Sequence, residues 1–183
     1  MNAALLQSIH HRTGVSPNVV MGIWGLESSY GAIQGDYRVV EATATLAWEG
    51  RRATYFRGEL MAALKILEAG DVVPGRMLGS YAGAMGQPQF MPSSYRKYAV
   101  DFDGDGKRNL WSSVPDVIGS VANYYKLHEW QPGGPVRMPA RVAATPDASL
   151  TDAGITAAVT SANGMTTLDN SKFNDVDLGA NAP

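Results

Sequence analysis

Apolar residues recur at three- and four-residue intervals through most of the first 130 positions, the period of a helix with one buried face. Met1–Arg12 has that spacing, with Gly14 beyond its end. Ser16-Pro17 reads as an N-cap followed by proline at the first helical position. It opens a helix over Asn18–Ser29, with Gly31 as the stop. The spacing continues over Val39–Glu49 and breaks near Gly50. It resumes over Thr54–Ala69, where Leu60, Leu64 and Leu67 recur ahead of Gly70. Val73–Pro92 is punctuated by glycine and proline and reads as irregular. Ser93 or Ser94 starts a short helix to Tyr98, and Ser113 caps another that runs to about Trp130. Beyond Pro132 the helical period is lost, and Val136–Ala143 reads as a strand.

Composition divides the chain at the same place. All 4 Trp, all 8 Tyr and three of the 4 Phe fall before residue 131, and only Phe173 follows. Aromatic side chains supply much of a core's buried area, so 1–130 reads as the folded body. The segment 131–183, rich in Ala, Thr, Gly, Asn and Pro, holds too little apolar surface to fold alone. It is expected to wrap on the body or to belong to something truncated. The 15 Lys+Arg against 17 Asp+Glu leave a net charge of -2, which argues against a nucleic-acid partner. No apolar run approaches the ~20 residues of a membrane span, and no signal-peptide pattern is visible. With Cys 0, thiolate metal sites and cysteine nucleophiles are excluded, and the 3 His fall in no zinc-binding spacing.

Candidate chemistry begins at Glu27. It ends the apolar run Val19-Val20-Met21-Gly22-Ile23-Trp24-Gly25-Leu26, of which Val19, Val20, Ile23, Trp24 and Leu26 are expected to be buried. A carboxyl there loses water and gains a raised pKa, as a general acid near neutral pH requires. The helix stops within a turn, so Glu27 would sit at an edge where a cleft can open. A solvated acid at a helix end is an equal alternative on pattern alone. Glu41, Glu49, Glu59 and Glu68 read as solvated or salt-bridged surface acids. The segment from Gly79 to Tyr95 is dense in glycine, aromatics and amides, matches no phosphate-binding motif, and reads as a ligand-contacting loop or a tightly packed one with Met85 and Phe90 in the core.

Asp101-Phe102-Asp103-Gly104-Asp105-Gly106 follows DxDxDG, the first half of an EF-hand loop. Asp101, Asp103 and Asp105 would converge on a cation, the Lys107 carbonyl would add an oxygen, and Asp116 would close the cage in place of the glutamate missing at Ser112. The expected ion is a structural calcium of modest affinity. Sodium, or a turn of solvated acids, is the alternative.

Taken together, these motifs resemble the lytic murein transglycosylase B family. The resemblance rests on Glu27-Ser28-Ser29-Tyr30-Gly31, Ala44-Thr45-Leu46-Ala47, the run from Gly83 to Tyr95, the DxDxDG loop and Ile118–Tyr125, in that order over roughly residues 15 to 135. It implies a mainly α, lysozyme-like helical domain with irregular Gly-rich loops, an EF-hand-like loop, and a poorly structured or small-β C-terminal segment. It implies cleavage of the β-1,4 bond between N-acetylmuramic acid and N-acetylglucosamine in peptidoglycan. Glu27 would be the single acid–base group and the product a 1,6-anhydro ring. Ser80, Gln89, Phe90 and Tyr124 match cleft-lining positions, and Tyr30 of the first motif joins them as a substrate-binding residue. No cofactor is expected for catalysis. The implied partner is a peptidoglycan strand, the chain is expected to act as a monomer, and the location is periplasmic or outer-membrane associated in a Gram-negative bacterium. The family's C-terminal Tyr-Asn glycan-binding segment and its leader have no counterpart, so a fragment or a short relative is expected. A hydrolytic muramidase with water held by Asp36, or a non-catalytic glycan-binding module, are the rival readings.

Overall fold

A computed structural model describes residues 3–134 together with 140–142, 158–161 and 164–167. The chain divides into two compact units, Met1–Pro132 and Gly133–Pro183. The described part of the first is mainly helical: α1 (Ala3–Thr13), α2 (Pro17–Ser28), α3 (Val39–Glu49), α4 (Ala53–Ala69), α5 (Pro92–Tyr98) and α6 (Val114–Leu127). Two short strands, β1 (Tyr37–Arg38) and β2 (Leu78–Gly79), pair antiparallel. The irregular reading of Val73–Pro92 overlooked β2. Its two residues are too few to show a period, and the pairing with Tyr37 and Arg38 is non-local.

The body has two apolar cores. In one, Val39, Ala63, Ile66 and Tyr95 of α3, α4 and α5 pack with Met77, Met85, Phe90 and Leu110. In the other, Ile9, Val20 and Trp24 of α1 and α2 pack on Val117, Ile118 and Val121 of α6, together with Val15. Full burial of a side chain such as Ile9, Val20 or Ile118 contributes about 1.5–3 kcal/mol.

Helix α2 corrects one expectation. Its buried face is the stripe Val20, Trp24 and Ser28, spaced four apart. Leu26 stands two residues from both Trp24 and Ser28, roughly 200° around the helix from each, and is 80% exposed. Val19 and Ile23 flank the stripe and are half-buried. A uniformly apolar run does not reveal which face is covered.

Helix ends show a second correction. Ser113 caps α6 as expected, its hydroxyl accepting from Asp116 N at 3.3 Å. Ser16 makes no side-chain cap to α2, which relies on Pro17 at its first turn. Helix α5 starts at Pro92, and its cap comes from α4: Glu59 accepts from Ser93 N at 2.8 Å and from Ser93 Oγ at 2.7 Å. Glu59 is 4% exposed rather than a surface acid, because this donor pair replaces its water.

In the second unit, β3 (Ala140–Val142), β4 (Ala158–Ser161) and β5 (Gly164–Thr167) form an antiparallel sheet in the order β3-β4-β5. The expected strand Val136–Ala143 is described over Ala140–Val142 only; 136–139 and Ala143 lie outside the described residues, as do Phe173 and Asp169-Asn170-Ser171.

Candidate active site

The seam between the two cores opens into a cavity of about 300 Å³. One core lends it Ile23 of α2 with Val121 and Tyr125 of α6. The other lends Phe90, against which Tyr124 packs. Glu27, Pro88, Gln89, Met91 and Ser94 complete the lining. Glu27 is the one carboxylate among these residues.

Helix α2 is held over this cavity by a buried contact: Trp24 Nε1 donates to Gln87 Oε1 at 2.8 Å. The Gln87 amide in turn donates to the Trp111 carbonyl at 3.0 Å. Trp24 and Glu27 are three residues apart, so this bond fixes the turn that carries the carboxylate. Ser28 then ends the helix, its hydroxyl accepting from Gly31 N at 2.9 Å. Gly31 has φ +89° and a Cβ there would lie 2.5 Å from Gln87 Oε1, so only glycine fits beneath this anchor.

Glu27 is open to solvent as a whole residue, yet burial of its carboxyl raises its pKa above the ordinary glutamate value. No neighbouring charge or hydrogen bond adds to that shift. Glu27 lines the cavity and remains accessible to solvent, as a proton donor to an incoming ligand requires. Tyr125, also raised chiefly by burial, feels the Glu27 charge as a lesser contribution.

Gln89 is strained as well as placed. Its φ is +51°, a left-handed backbone uncommon for a side-chain-bearing residue. Its amide nitrogen donates to Gly86 O at 2.7 Å and to Gln34 O at 3.1 Å. With both amide hydrogens committed, Oε1 is left to accept from a ligand. The rings of Phe90 and Tyr124 lie 5.8 Å apart at 47°, and His128 stacks on Tyr124 at 4.1 Å.

Of the residues singled out from sequence, Glu27, Gln89, Phe90 and Tyr124 therefore share one cavity. Ser80 and Tyr30 are not among its lining residues. The Ser80 hydroxyl accepts from Ala82 N at 3.3 Å and Ala84 N at 3.1 Å, holding a turn. Tyr30 stands 55% exposed, its ring edge-on to Trp24 at 5.4 Å. Ile23 is expected from sequence only as a buried residue, and Val121 and Tyr125 carry no expected site role; Val121 and Tyr125 sit one helical turn apart on α6, a signal visible only once Tyr124 is placed. The glycines of the amide-rich segment serve the chain's own packing: a Cβ at Gly79 would lie 2.0 Å from Ala84 O. Met85 and Phe90 belong to the core, as the alternative reading of that loop expected.

In the acidic loop, carboxylate oxygens of Asp101, Asp103 and Asp116 lie within 4.8 Å of one another. Asp101 accepts from the backbone N–H groups of Gly104, Asp105 and Gly106, and Asp116 from those of Phe102 and Asn109. Asp103 accepts from Ser113 Oγ at 2.7 Å. These bonds orient the carboxylates, and three hard oxygen donors suit calcium. Asp105 falls outside the group, its Oδ1 accepting from Lys107 N at 2.8 Å. Burial raises the Asp116 pKa, against the lowering effect of its backbone donors.

Comparison with known proteins converges on one family. The transglycosylase SLT domain family matches residues 1–182. The membrane-bound lytic murein transglycosylase B of Escherichia coli (strain K12) is 51% identical over 124 residues, 67% of this chain and 34% of that protein. SltB3 of Pseudomonas aeruginosa in complex with NAG-anhNAM-pentapeptide superimposes with a TM-score of 0.72 at 41% identity, covering 91% of this chain and 49% of that one. The Escherichia coli lytic transglycosylase Slt35 in complex with calcium gives 0.71 at 41% identity, covering 90% and 56%. The chain spans about a third of the length of the first relative and about half that of the two solved structures.

Proposed function

The chain belongs to the transglycosylase SLT domain family, and from that premise we propose that it cleaves the β-1,4 bond between N-acetylmuramic acid and N-acetylglucosamine in peptidoglycan, with Glu27 as its acid–base group. The observation that carries this is a single desolvated carboxylate sharing a cavity with Gln89, Phe90 and Tyr124. Glu27 gives its proton to the glycosidic oxygen as the bond to C1 breaks. It then takes the proton of the muramoyl C6 hydroxyl as that oxygen bonds to C1. The 1,6-anhydro ring closes and Glu27 returns to its protonated form. Gln89 Oε1 accepts from an N-acetyl N–H, and Phe90 and Tyr124 pack against sugar faces.

The usual two-carboxylate glycosidase needs a second acid about 5–9.5 Å from the first. None lines this cavity beside Glu27, and Asp36 is exposed and absent from the lining. That favours internal attack, assisted by the substrate's 2-acetamido group, over water activated by Asp36. Ser80 and Tyr30 belong to the cleft in this reading only if the glycan extends beyond the described cavity. The Pseudomonas relative was solved with an anhydro-muramyl ligand, which supports the same product here.

A calcium ion would be held by Asp101, Asp103 and Asp116, with Asp105 and the Lys107 carbonyl as further oxygens. It would tie the loop to the start of α6 and take no part in bond cleavage. A cell-wall substrate and a membrane-bound relative support a periplasmic or outer-membrane-associated location in a Gram-negative bacterium. No described helix is long and apolar enough to cross a membrane. The test is digestion of purified sacculi followed by mass spectrometry: products one water lighter than reducing-end muropeptides are expected, and reducing ends alone would replace this reading with the muramidase.

A further inference from the structure

Gln34 is not among the residues that line Glu27's cavity, yet it holds one that is. Its backbone carbonyl accepts from the Gln89 side-chain amide at 3.1 Å, across 55 residues of chain. Its own side-chain amide donates to the Gly31 carbonyl at 3.1 Å and to the Trp111 carbonyl at 3.2 Å. One residue of the loop between α2 and β1 thus joins the Trp111 carbonyl to the Gln89 amide.

Trp111 is a fixed support for that link. Its indole N–H donates to Leu78 O at 2.8 Å and its backbone N–H to Asn109 Oδ1 at 3.2 Å. Its carbonyl also takes the amide of Gln87, the residue that anchors Trp24. Gln34 therefore rests on the same acceptor as the anchor of α2.

The Gln89 side chain needs such a tie. Its other bond, to Gly86 O at 2.7 Å, reaches only three residues back along its own loop and by itself leaves the amide free to pivot. A second carbonyl removes that freedom. Carbonyls only accept, so the nitrogen end of the amide must meet both and Oε1 is the end left over. The left-handed backbone at Gln89, φ +51°, persists only where surrounding contacts over-determine it.

We propose that Gln34 is a positioning residue for glycan recognition, which acts through Gln89 by holding its amide so that Oε1 meets an N-acetyl N–H. This rests on the peptidoglycan reading above. Gln34 does its work without touching the sugar.

The test is a double-mutant cycle read by calorimetric titration of the full chain with NAG-anhNAM-pentapeptide. Gln34→Met keeps the reach of the side chain and removes its amide. It should weaken binding by about three- to tenfold, up to the worth of one neutral hydrogen bond. Gln89→Ala should weaken binding by a similar factor. Gln34→Met added to Gln89→Ala should weaken it no further, because the group it acts through is gone, and Gln34→Ala should repeat the pattern. In the ligand-free chain, NMR should show the Gln89 side-chain amide hydrogens exchanging faster in Gln34→Met. A residue that only closes its own loop would weaken binding equally in both backgrounds. That result, or full-strength binding in Gln34→Met alone, or an unchanged exchange rate, would overturn the proposal. The glycan reading of Gln89 fails on a different result, full-strength binding in Gln89→Ala alone, which would take this proposal with it. The catalytic reading fails on turnover that persists in Glu27→Gln, so the failures are distinguishable.

Discussion

Glu27 and Asp116 are both carboxyls whose pKa burial raises, and they occupy opposite ends of their helices. Glu27 lies in the last turn of α2, where the helix dipole adds to the cost of negative charge. Desolvation raises its pKa, and no neighbouring charged side chain contributes. Asp116 lies in the first turn of α6, where the dipole favours negative charge, and it is 0% exposed. Its two oxygens accept from Phe102 N at 2.7 Å and Asn109 N at 2.8 Å. Desolvation alone therefore does not make a general acid. What separates the two is that Glu27 keeps its oxygens uncommitted on a cavity wall, whereas Asp116 uses its own to hold a loop.

The sharpest way to break this contrast is to neutralise each acid in turn. Glu27→Gln should cost roughly 10²–10⁴-fold in turnover of sacculi, with little change in melting temperature because no hydrogen bond is lost. Asp116→Asn should do the reverse. It leaves at least one buried backbone N–H without an acceptor, costing about 1–3 kcal/mol in denaturant unfolding, and it should lose far less turnover per folded molecule than Glu27→Gln. If the two variants behaved alike in both assays, the distinction would collapse.

A smaller effect concerns the loop alone. Added calcium should raise the melting temperature, because a ligand bound only by the folded state stabilises it, and Asp103→Ala should abolish the response. A calcium response that persists in Asp103→Ala would remove this loop as its source.

The smallest effect is on pH dependence. The raised folded value of Glu27 means that the folded chain holds this proton more tightly than the unfolded one. Its contribution to stability is thus present below the unfolded glutamate value and lost as pH rises through the folded value. Turnover should decline over the same rise as the proton donor is titrated away. A rate that increases through this range would assign Glu27 the base role alone.

How far the sequence foretold this arrangement depended on the range of each interaction. Helix α3 was legible at both ends, and α4 to within a residue, because apolar period and terminal glycine are local signals. The cap that Glu59 provides for α5 was not, since its partner lies 34 residues away. The same applies to the Trp24–Gln87 bond, which spans 63 residues and sets the height of Glu27 over the amide-rich segment. Glu27, Gln89, Phe90 and Tyr124 were named from motif and resemblance, and the fold brings those four together. Leu26 shows the limit of composition: an apolar neighbour of the acid points away from the core because of its angle on the helix.

Glu27 holds a proton where an ordinary glutamate would not. Carbon-13 NMR of its side-chain carboxyl, assigned by comparison with Glu27→Gln and followed from acid to neutral pH, reads this without reference to turnover. The expected midpoint lies above the ordinary value of 4.5 and falls on removal of apolar wall in Ile23→Ala. A midpoint at or below that value would contradict it.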